Sequence, residues 1–344
     1  MRRMLAILLL GVILLACGRQ PGRYVQISGT AQGGTYSVKL NLKGVNQPVE
    51  AVRDSIDALL RNIDQSLSGY NKSSLLSRFN AGEVIRPNAL FIDMYSLAYR
   101  YWERSGGALD FAAGPLYDAW GFGFRSSSFP TDAEVAALLG TSGLDRLPRE
   151  LPLRPDGTLD PAAMGSPRLN YNAIAQGYSC DIIARYLYGL GVRDMLVDIG
   201  EIWCDGVNPA GQPWSVGLDR PVEREPGSQE TQYQDIWSSG GTPCGITTSG
   251  NYRKFYVRDG RKYAHTIDPR SGYPVQHNLL SATVVSQVSA AESDAVATWC
   301  MVVGLEAAQL LILEDPALEG YLVYTDAEGR MQEWYSPGFQ VINR

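Results

Sequence analysis

Between Val49 and Leu67, the residues Val52, Ile56, Leu59, Leu60, Ile63 and Leu67 recur at helical spacing and define one apolar face, a pattern that marks an amphipathic helix needing a core to lie on. A second helix is expected from an Asn88 N-cap to Ser105, ended by Gly106-Gly107, because glycine relieves the left-handed turn after a helix. Thr131-Asp132-Ala133-Glu134 reads as a capping box opening a short helix that stops at Gly140. Ala173 to Leu190 is helical by pattern, and Ser289-Ala290-Ala291-Glu292 is a second capping box whose helix runs to about Val303, followed by Leu305 to Leu313. Strands are expected at Thr35–Leu40, Met195–Ile199, Trp214–Leu218, Gly245–Thr248, Leu280–Val285, Tyr321–Tyr324 and Gln332–Tyr335. Residues 110–130 read as an ordered loop and 223–241 as a surface loop or hairpin. No regular βαβ repeat runs through this order, so the fold class is α+β, mixed sheets with packed helices. A glycine-rich dinucleotide fingerprint and a P-loop are both missing.

The N-terminus bears on location. Arg2 and Arg3 precede an apolar run, Leu5 to Leu15, that is too short for a stable bilayer-spanning helix and has the layout of a secretory signal. Leu14-Leu15-Ala16-Cys17 ends that run in the manner of a lipobox, in which Cys17 is acylated and becomes the new N-terminus; an ordinary signal peptide with an incidental cysteine is the alternative. Residues 1–16 are thus expected to be a signal peptide and 17–27 a lipidated N-terminus and tether, with 28–344 long enough for one large domain or two small ones. A lipid anchor would hold the protein in the cell envelope, facing the periplasm or the exterior.

Composition then removes several function classes. Loss of Arg2 and Arg3 takes the formal charge from -6 to -8, the wrong sign for a nucleic-acid footprint. Cys180, Cys204, Cys244 and Cys300 form no CxxC pair, which leaves a zinc ribbon or a thioredoxin-like site unsupported, and they read as buried small hydrophobes. Two histidines, His265 and His277, are too few for a histidine-rich metal centre.

Three segments could carry chemistry. Asp294 and Thr298 stand four apart in a helix and share a face among apolar neighbours. Together they offer two hard oxygen ligands of the kind Mg2+ takes when a phosphate completes its octahedron. A threonine bonding its own helix and an aspartate placed for the helix dipole would leave the same pattern. Tyr263-Ala264-His265-Thr266-Ile267-Asp268-Pro269-Arg270-Ser271-Gly272 is a turn that presents an imidazole, an acid and a guanidinium together, suited to acid–base work and phosphate binding. The upstream Arg253, Lys254, Arg258, Arg261 and Lys262 read as a solvated hairpin face. Leu169 to Tyr178 leads into a helix start, where free N–H groups suit an anion. Gly177 within it costs about 1 kcal/mol relative to alanine, a cost that close packing against a ligand or backbone would explain.

In this order the three segments resemble the FAD:protein FMN transferase (ApbE) family. Other matching segments are Gly29-Thr30-Ala31-Gln32-Gly33, Ser68-Gly69-Tyr70-Asn71, Ser77-Arg78-Phe79-Asn80, Gly107-Ala108-Leu109-Asp110, Gly114-Pro115-Leu116, Trp120-Gly121-Phe122-Gly123, Pro213-Trp214 and Thr248-Ser249-Gly250-Asn251-Tyr252. The resemblance spans roughly residues 28–340 and implies an ApbE-like fold. It implies Mg2+ held by the Ala173 carbonyl, Asp294 and Thr298. It also implies FAD as a consumed substrate contacted by Gln32, Tyr70, Ala108, Leu109, Asp110, Asn170, Gln176 and the turn from His265 through Ile267 to Asp268. The chain departs from the family's usual residues at Gln32, Asn170 and Gln176, and has Gly200 alone where the family has two glycines before the acid at Glu201. The implied reaction splits FAD, attaches FMN to a threonine of an acceptor protein, such as a membrane redox subunit, and releases AMP. His265 is the first candidate for the base, with Asp268 and Asp294 as rivals. Mg2+-dependent hydrolysis of FAD to FMN and AMP, and a lipid-anchored flavin binder without turnover, are the competing expectations.

Overall fold

The computed structural model describes residues 22–124, 129–219, 221, 233–251, 255–258 and 261–343. The signal segment, Cys17, Arg253, Lys254 and residues 222–232 of the polar insert lie outside them.

Eight strands build the central sheet: β1 (Tyr24–Ala31), β2 (Gly34–Asn41), β3 (Met195–Asp198), β4 (Ile202–Asp205), β5 (Cys244–Gly250), β6 (Leu279–Ser286), β7 (Leu318–Thr325) and β8 (Met331–Tyr335). They lie side by side in chain order, and each neighbouring pair is antiparallel. The sheet is therefore a meander into which long excursions are inserted. Residues 42–194 lie between β2 and β3 and carry α1 (Val49–Leu67), α2 (Leu75–Asn80), α3 (Ala89–Arg104), α4 (Gly114–Ala119), α5 (Asp132–Leu139) and α6 (Ala175–Gly189). The excursion between β6 and β7 carries α7 (Ala290–Val303) and α8 (Leu305–Glu314).

Strand periodicity sorts the two faces, since successive side chains point opposite ways. Val197 of β3 packs with Val38, Val52, Ile56, Ile183 and Leu187 under α1 and α6, whereas its neighbour Leu196 packs on the other side with Trp214, Trp237, Tyr321 and Phe339. There a small three-stranded sheet, 215–219, 233–238 and 341–343, covers the second face. α7 and α8 bury Val296, Ala297, Cys300, Met301 and Ile312 against Ala282, Val284 and Leu322 of β6 and β7. The resulting α+β layering agrees with the class read from the sequence.

Several local expectations hold. α1 spans the predicted residues, and Asn88 caps α3 by accepting from the Phe91 N–H. The Thr131/Glu134 capping box is reciprocal. The box at Ser289 is only half made: Ser289 accepts from the Glu292 N–H, but the Glu292 carboxylate is taken by Ser286 and Arg104. The four cysteines are buried and unpaired, with Cys204 and Cys244 facing each other across β4 and β5 at 3.9 Å between Sγ atoms.

Other expectations are corrected. Tyr24 to Ile27, expected within the tether, belong to β1, where Ile27 is fully buried. The loop expected over 110–130 contains α4, with Pro115 in its first turn. Of the 223–241 insert, expected as a surface loop or hairpin, 233–238 does pair antiparallel with 215–219, but it buries Trp237 rather than lying on the surface. At the single glycine before Glu201, β3 and β4 pair in unbroken register, and Gly200 turns the chain at φ +95°.

Candidate functional site

The site is organised by the contact of α6 with α7. In a regular first turn the Gly177 N–H would donate to the Ala173 carbonyl four residues back. Ile174 departs from helical geometry at φ -156°, ψ -15°, and the Gly177 N–H donates instead to Asp294 Oδ2 of α7 at 3.0 Å. The anion expected at this helix start is thus a carboxylate of the protein itself. Asp294 does not serve the dipole of its own helix; it lies in the second turn of α7 and caps α6. Gly177 has to be glycine here, since a Cβ would come within 2.6 Å of the Ala290 carbonyl carbon and 2.8 Å of Asp294 Cβ. Close backbone packing is therefore the reason for a glycine early in α6.

Asp294 is 5% exposed. Burial pushes its carboxyl up to about 7, against the opposing effect of the Gly177 N–H and with a further upward push from Asp181. A buried carboxylate short of cationic company is a costly arrangement that a divalent cation would relieve. One turn along, Thr298 Oγ1 lies 3.4 Å from Ser249 Oγ at the end of β5. Carboxylate, hydroxyl and a carbonyl outside the helix ladder are hard oxygen donors, and this donor set fits Mg2+ completed by phosphate oxygens. Among the described residues no cluster of three or more His, Cys, Asp or Glu could hold a metal, so a resident cation here would depend on such mixed donors.

The β5 end connects this helix pair to the histidine turn. Asn251 accepts from Thr266 Oγ1 at 2.6 Å, and its own N–H donates to the Leu280 carbonyl. His265 is half-buried, with its ring edge-on to Phe122 at 6.3 Å between centroids. The turn is fixed from the other side by Trp120 Nε1 donating to the Gly272 carbonyl at 2.8 Å and by Tyr273 donating to Asp132 at 2.7 Å. Asp268 is held within its own turn: Arg270 Nε and Nη2 each reach one of its oxygens at 2.9 Å, and the Arg270 N–H adds a third bond. That bidentate pair leaves Asp268 poorly placed to take a substrate proton, and it shapes the turn that presents His265.

On the other flank, Gln32 and Gly33 form a two-residue hairpin turn with φ of +52° and +81°, the backbone of a type I′ turn. The Gln32 amide donates to Ser179 of α6, which brings the hairpin tip over the start of that helix. Gln176 donates to the Ile199 carbonyl at 3.2 Å. Asn170 accepts from the Asn172 N–H at 3.0 Å, and Asn172 donates to Tyr70 Oη at 3.2 Å. The Tyr70 ring is 67% exposed and sits edge-on to Phe124 at 5.0 Å. A large aromatic face left in solvent beside the Ala173 turn suits a planar ring.

Three of the expected ligand contacts are turned inward. Ala108 and Leu109 are buried, Leu109 within the helical core, and Ile267 packs with Ala113, Leu116, Trp120 and Val135. These three can meet a ligand only through their backbone. Asp110 accepts from the Ala112 N–H at 2.8 Å and the Leu144 N–H at 3.1 Å, and burial pushes its carboxyl up. It organises the loop and, with Gly107, Gly143 and Arg270, lines a cavity of about 280 Å³. A larger groove of about 560 Å³, lined by Tyr24, Lys39 and Trp214, lies towards the small three-stranded sheet and holds none of the candidate residues.

Two features escaped the sequence reading. Asp181 accepts from the Ala290 and Ala291 N–H groups at 2.8 and 3.0 Å; its position four residues after Gly177 was the available signal. Phe124 packs across Gly69 beside Tyr70, a contact with no short-range signature.

A profile of the ApbE family matches residues 32–322. The FAD:protein FMN transferase of Vibrio cholerae serotype O1 is 33% identical over 308 residues, 87% of each chain. That of Escherichia coli strain K12 is 30% identical over 300 residues, 84% of this chain and 81% of its own. Among solved structures, the flavin transferase ApbE from Vibrio cholerae aligns with a TM-score of 0.76 at 29% identity, covering 92% of this chain and 98% of that one. Pseudomonas stutzeri flavinyl transferase ApbE aligns at 0.77 with 28% identity, covering 92% and 95%. With likeness in sequence and fold over most of its length, this chain belongs to the ApbE family.

Proposed function

We propose that this chain is an FAD:protein FMN transferase that uses Mg2+ and modifies a threonine of an acceptor protein. The acceptor hydroxyl attacks the FMN-side phosphorus of FAD, a new P–O ester bond forms, the phosphoanhydride breaks, and AMP leaves. The observation that carries the reading is the diverted Gly177 N–H, which brings the Asp294 carboxylate to the turn whose Ala173 carbonyl it leaves outside the ladder. Ala173, Asp294 and Thr298 would hold Mg2+, whose chemistry when bound is to offset charge on the diphosphate. The exposed face of Tyr70 and the hairpin tip at Gln32 would receive a ring system of FAD.

The remaining chemistry belongs to side chains of the chain. His265 would accept the threonine proton as the P–O bond forms, with Asp268 and Arg270 fixing the turn. Replacing His265 by alanine is expected to lower the transfer rate by about 10²–10⁴-fold, the usual worth of a positioned base. Single-turnover rates at saturating FAD check it, and a rate equal to that of the parent would remove His265 from the role.

Cys17 would carry the lipid anchor, placing the catalytic domain at the face of a cell-envelope membrane and within reach of a membrane-bound redox subunit. No helix among the described residues is long and apolar enough to cross a membrane. The direct test incubates purified protein with FAD, Mg2+ and a threonine-containing acceptor peptide. The expected product is a peptide heavier by one FMN less one water, with one AMP released per transfer. AMP release without any peptide mass gain would point to hydrolysis.

A further inference from the structure

We propose that Asp181 is a positioning residue for the cation site, acting through a reciprocal exchange of caps between α6 and α7. This rests on the reading of Asp294 as a Mg2+ ligand. Each helix opens with N–H groups that its own ladder leaves unsatisfied. The start of α7 is capped from α6, by Asp181 accepting from Ala290 and Ala291 at 2.8 and 3.0 Å. The start of α6 is capped from α7, by Asp294 accepting from Gly177 at 3.0 Å. Gly177, with no Cβ, lets the two backbones meet between the caps.

The consequence is geometric. One residue of helix rises about 1.5 Å, so a slide of α7 by a single position would break both caps and carry Asp294 away from the Ala173 turn. The Ser289 cap holds Glu292 within the N-terminal segment of α7 itself and says nothing about register against α6. Asp181 ties the first residues of α7 to α6, and so it helps fix where Asp294 and Thr298 stand. It makes no contact with the proposed ligand oxygens; it acts through the two backbone caps, beside the charge by which it pushes the Asp294 carboxyl up.

The test measures Mn2+ binding by the loss of the free-ion EPR signal, with the full chain and no FAD, for Asp181→Ala, Asp181→Asn, Ser289→Ala and Asp294→Ala. Removing an outer partner of a metal ligand commonly weakens binding about 10–100-fold, and Asp181→Ala is expected within that range. Asp181→Asn, which keeps one acceptor oxygen, should fall between it and the parent and covers the case in which the alanine variant does not fold. Ser289→Ala should lower the melting temperature while leaving Mn2+ affinity unchanged. Parent-like Mn2+ affinity in both Asp181 variants, with Asp294→Ala impaired, would overturn the inference and leave the proposed function standing. An equal loss in Ser289→Ala would also overturn it, since any loosening of α7 would then suffice. Unchanged binding in Asp294→Ala would remove the metal reading itself.

Discussion

Replacing Asp294 by alanine is expected to lower FMN transfer by two to three orders of magnitude and to raise the Mg2+ concentration needed for what activity remains. Loss of one preorganised electrostatic contact to a developing charge costs roughly 3–4 kcal/mol, and here the contact would be to the cation beside the diphosphate. The variant also strips the Gly177 N–H of its acceptor, a buried donor whose loss of partner costs about 1–3 kcal/mol of stability. Asp294→Asn separates the two effects. Its amide oxygen can still accept from Gly177, so stability should recover while transfer stays low. Steady-state rates over a Mg2+ titration and denaturant midpoints for both variants check this. If asparagine restored transfer along with stability, the carboxylate charge would have no part in the reaction.

The second large effect concerns Gly177. Alanine favours a helix over glycine by about 1 kcal/mol, so helix propensity alone would have Gly177→Ala stabilise the protein. The packing gives the opposite sign. The new Cβ would press into the backbone of α7 at Ala290 and into Asp294 Cβ, atoms that cannot rotate aside. Overpacking of this kind costs about 1–3 kcal/mol, occasionally more, and relief requires α6 and α7 to separate. The expected result is a denaturant midpoint lowered by an amount near the upper end of that range, with transfer reduced at least tenfold at temperatures where the variant is folded. A stabilised, fully active Gly177→Ala protein would mean that the helix contact is looser than its geometry states.

How far the sequence discloses this site depends on whether the governing interactions are local. α1, the Asn88 cap and the Thr131/Glu134 box are legible because their partners sit within a few residues. The shared face of Asp294 and Thr298 follows from helical spacing in the same way. The partner of Gly177 does not, because Asp294 is 117 residues away and reaches it only through the meander that brings α7 beside α6. An aspartate's letter also gives no direction. Asp110 and Asp268 are acids in glycine-rich loops, yet one faces inward to backbone N–H groups and the other is held by Arg270. Ile267 and Leu109 were readable as members of site segments, while their burial depends on packing by α4, α5 and the helical core. Topology was the least legible part. Nothing local announces that residues 42–194 are an excursion between two neighbouring strands.

In the proposed function a divalent cation would sit between Asp294 and the diphosphate of FAD. Phosphorus NMR of FAD held by excess protein, with paramagnetic Mn2+ added in place of Mg2+, tests it most directly. Both diphosphate resonances should broaden away with the parent protein at Mn2+ levels that leave them sharp with Asp294→Ala. Equal broadening with the two proteins, or sharp resonances with both, would contradict it.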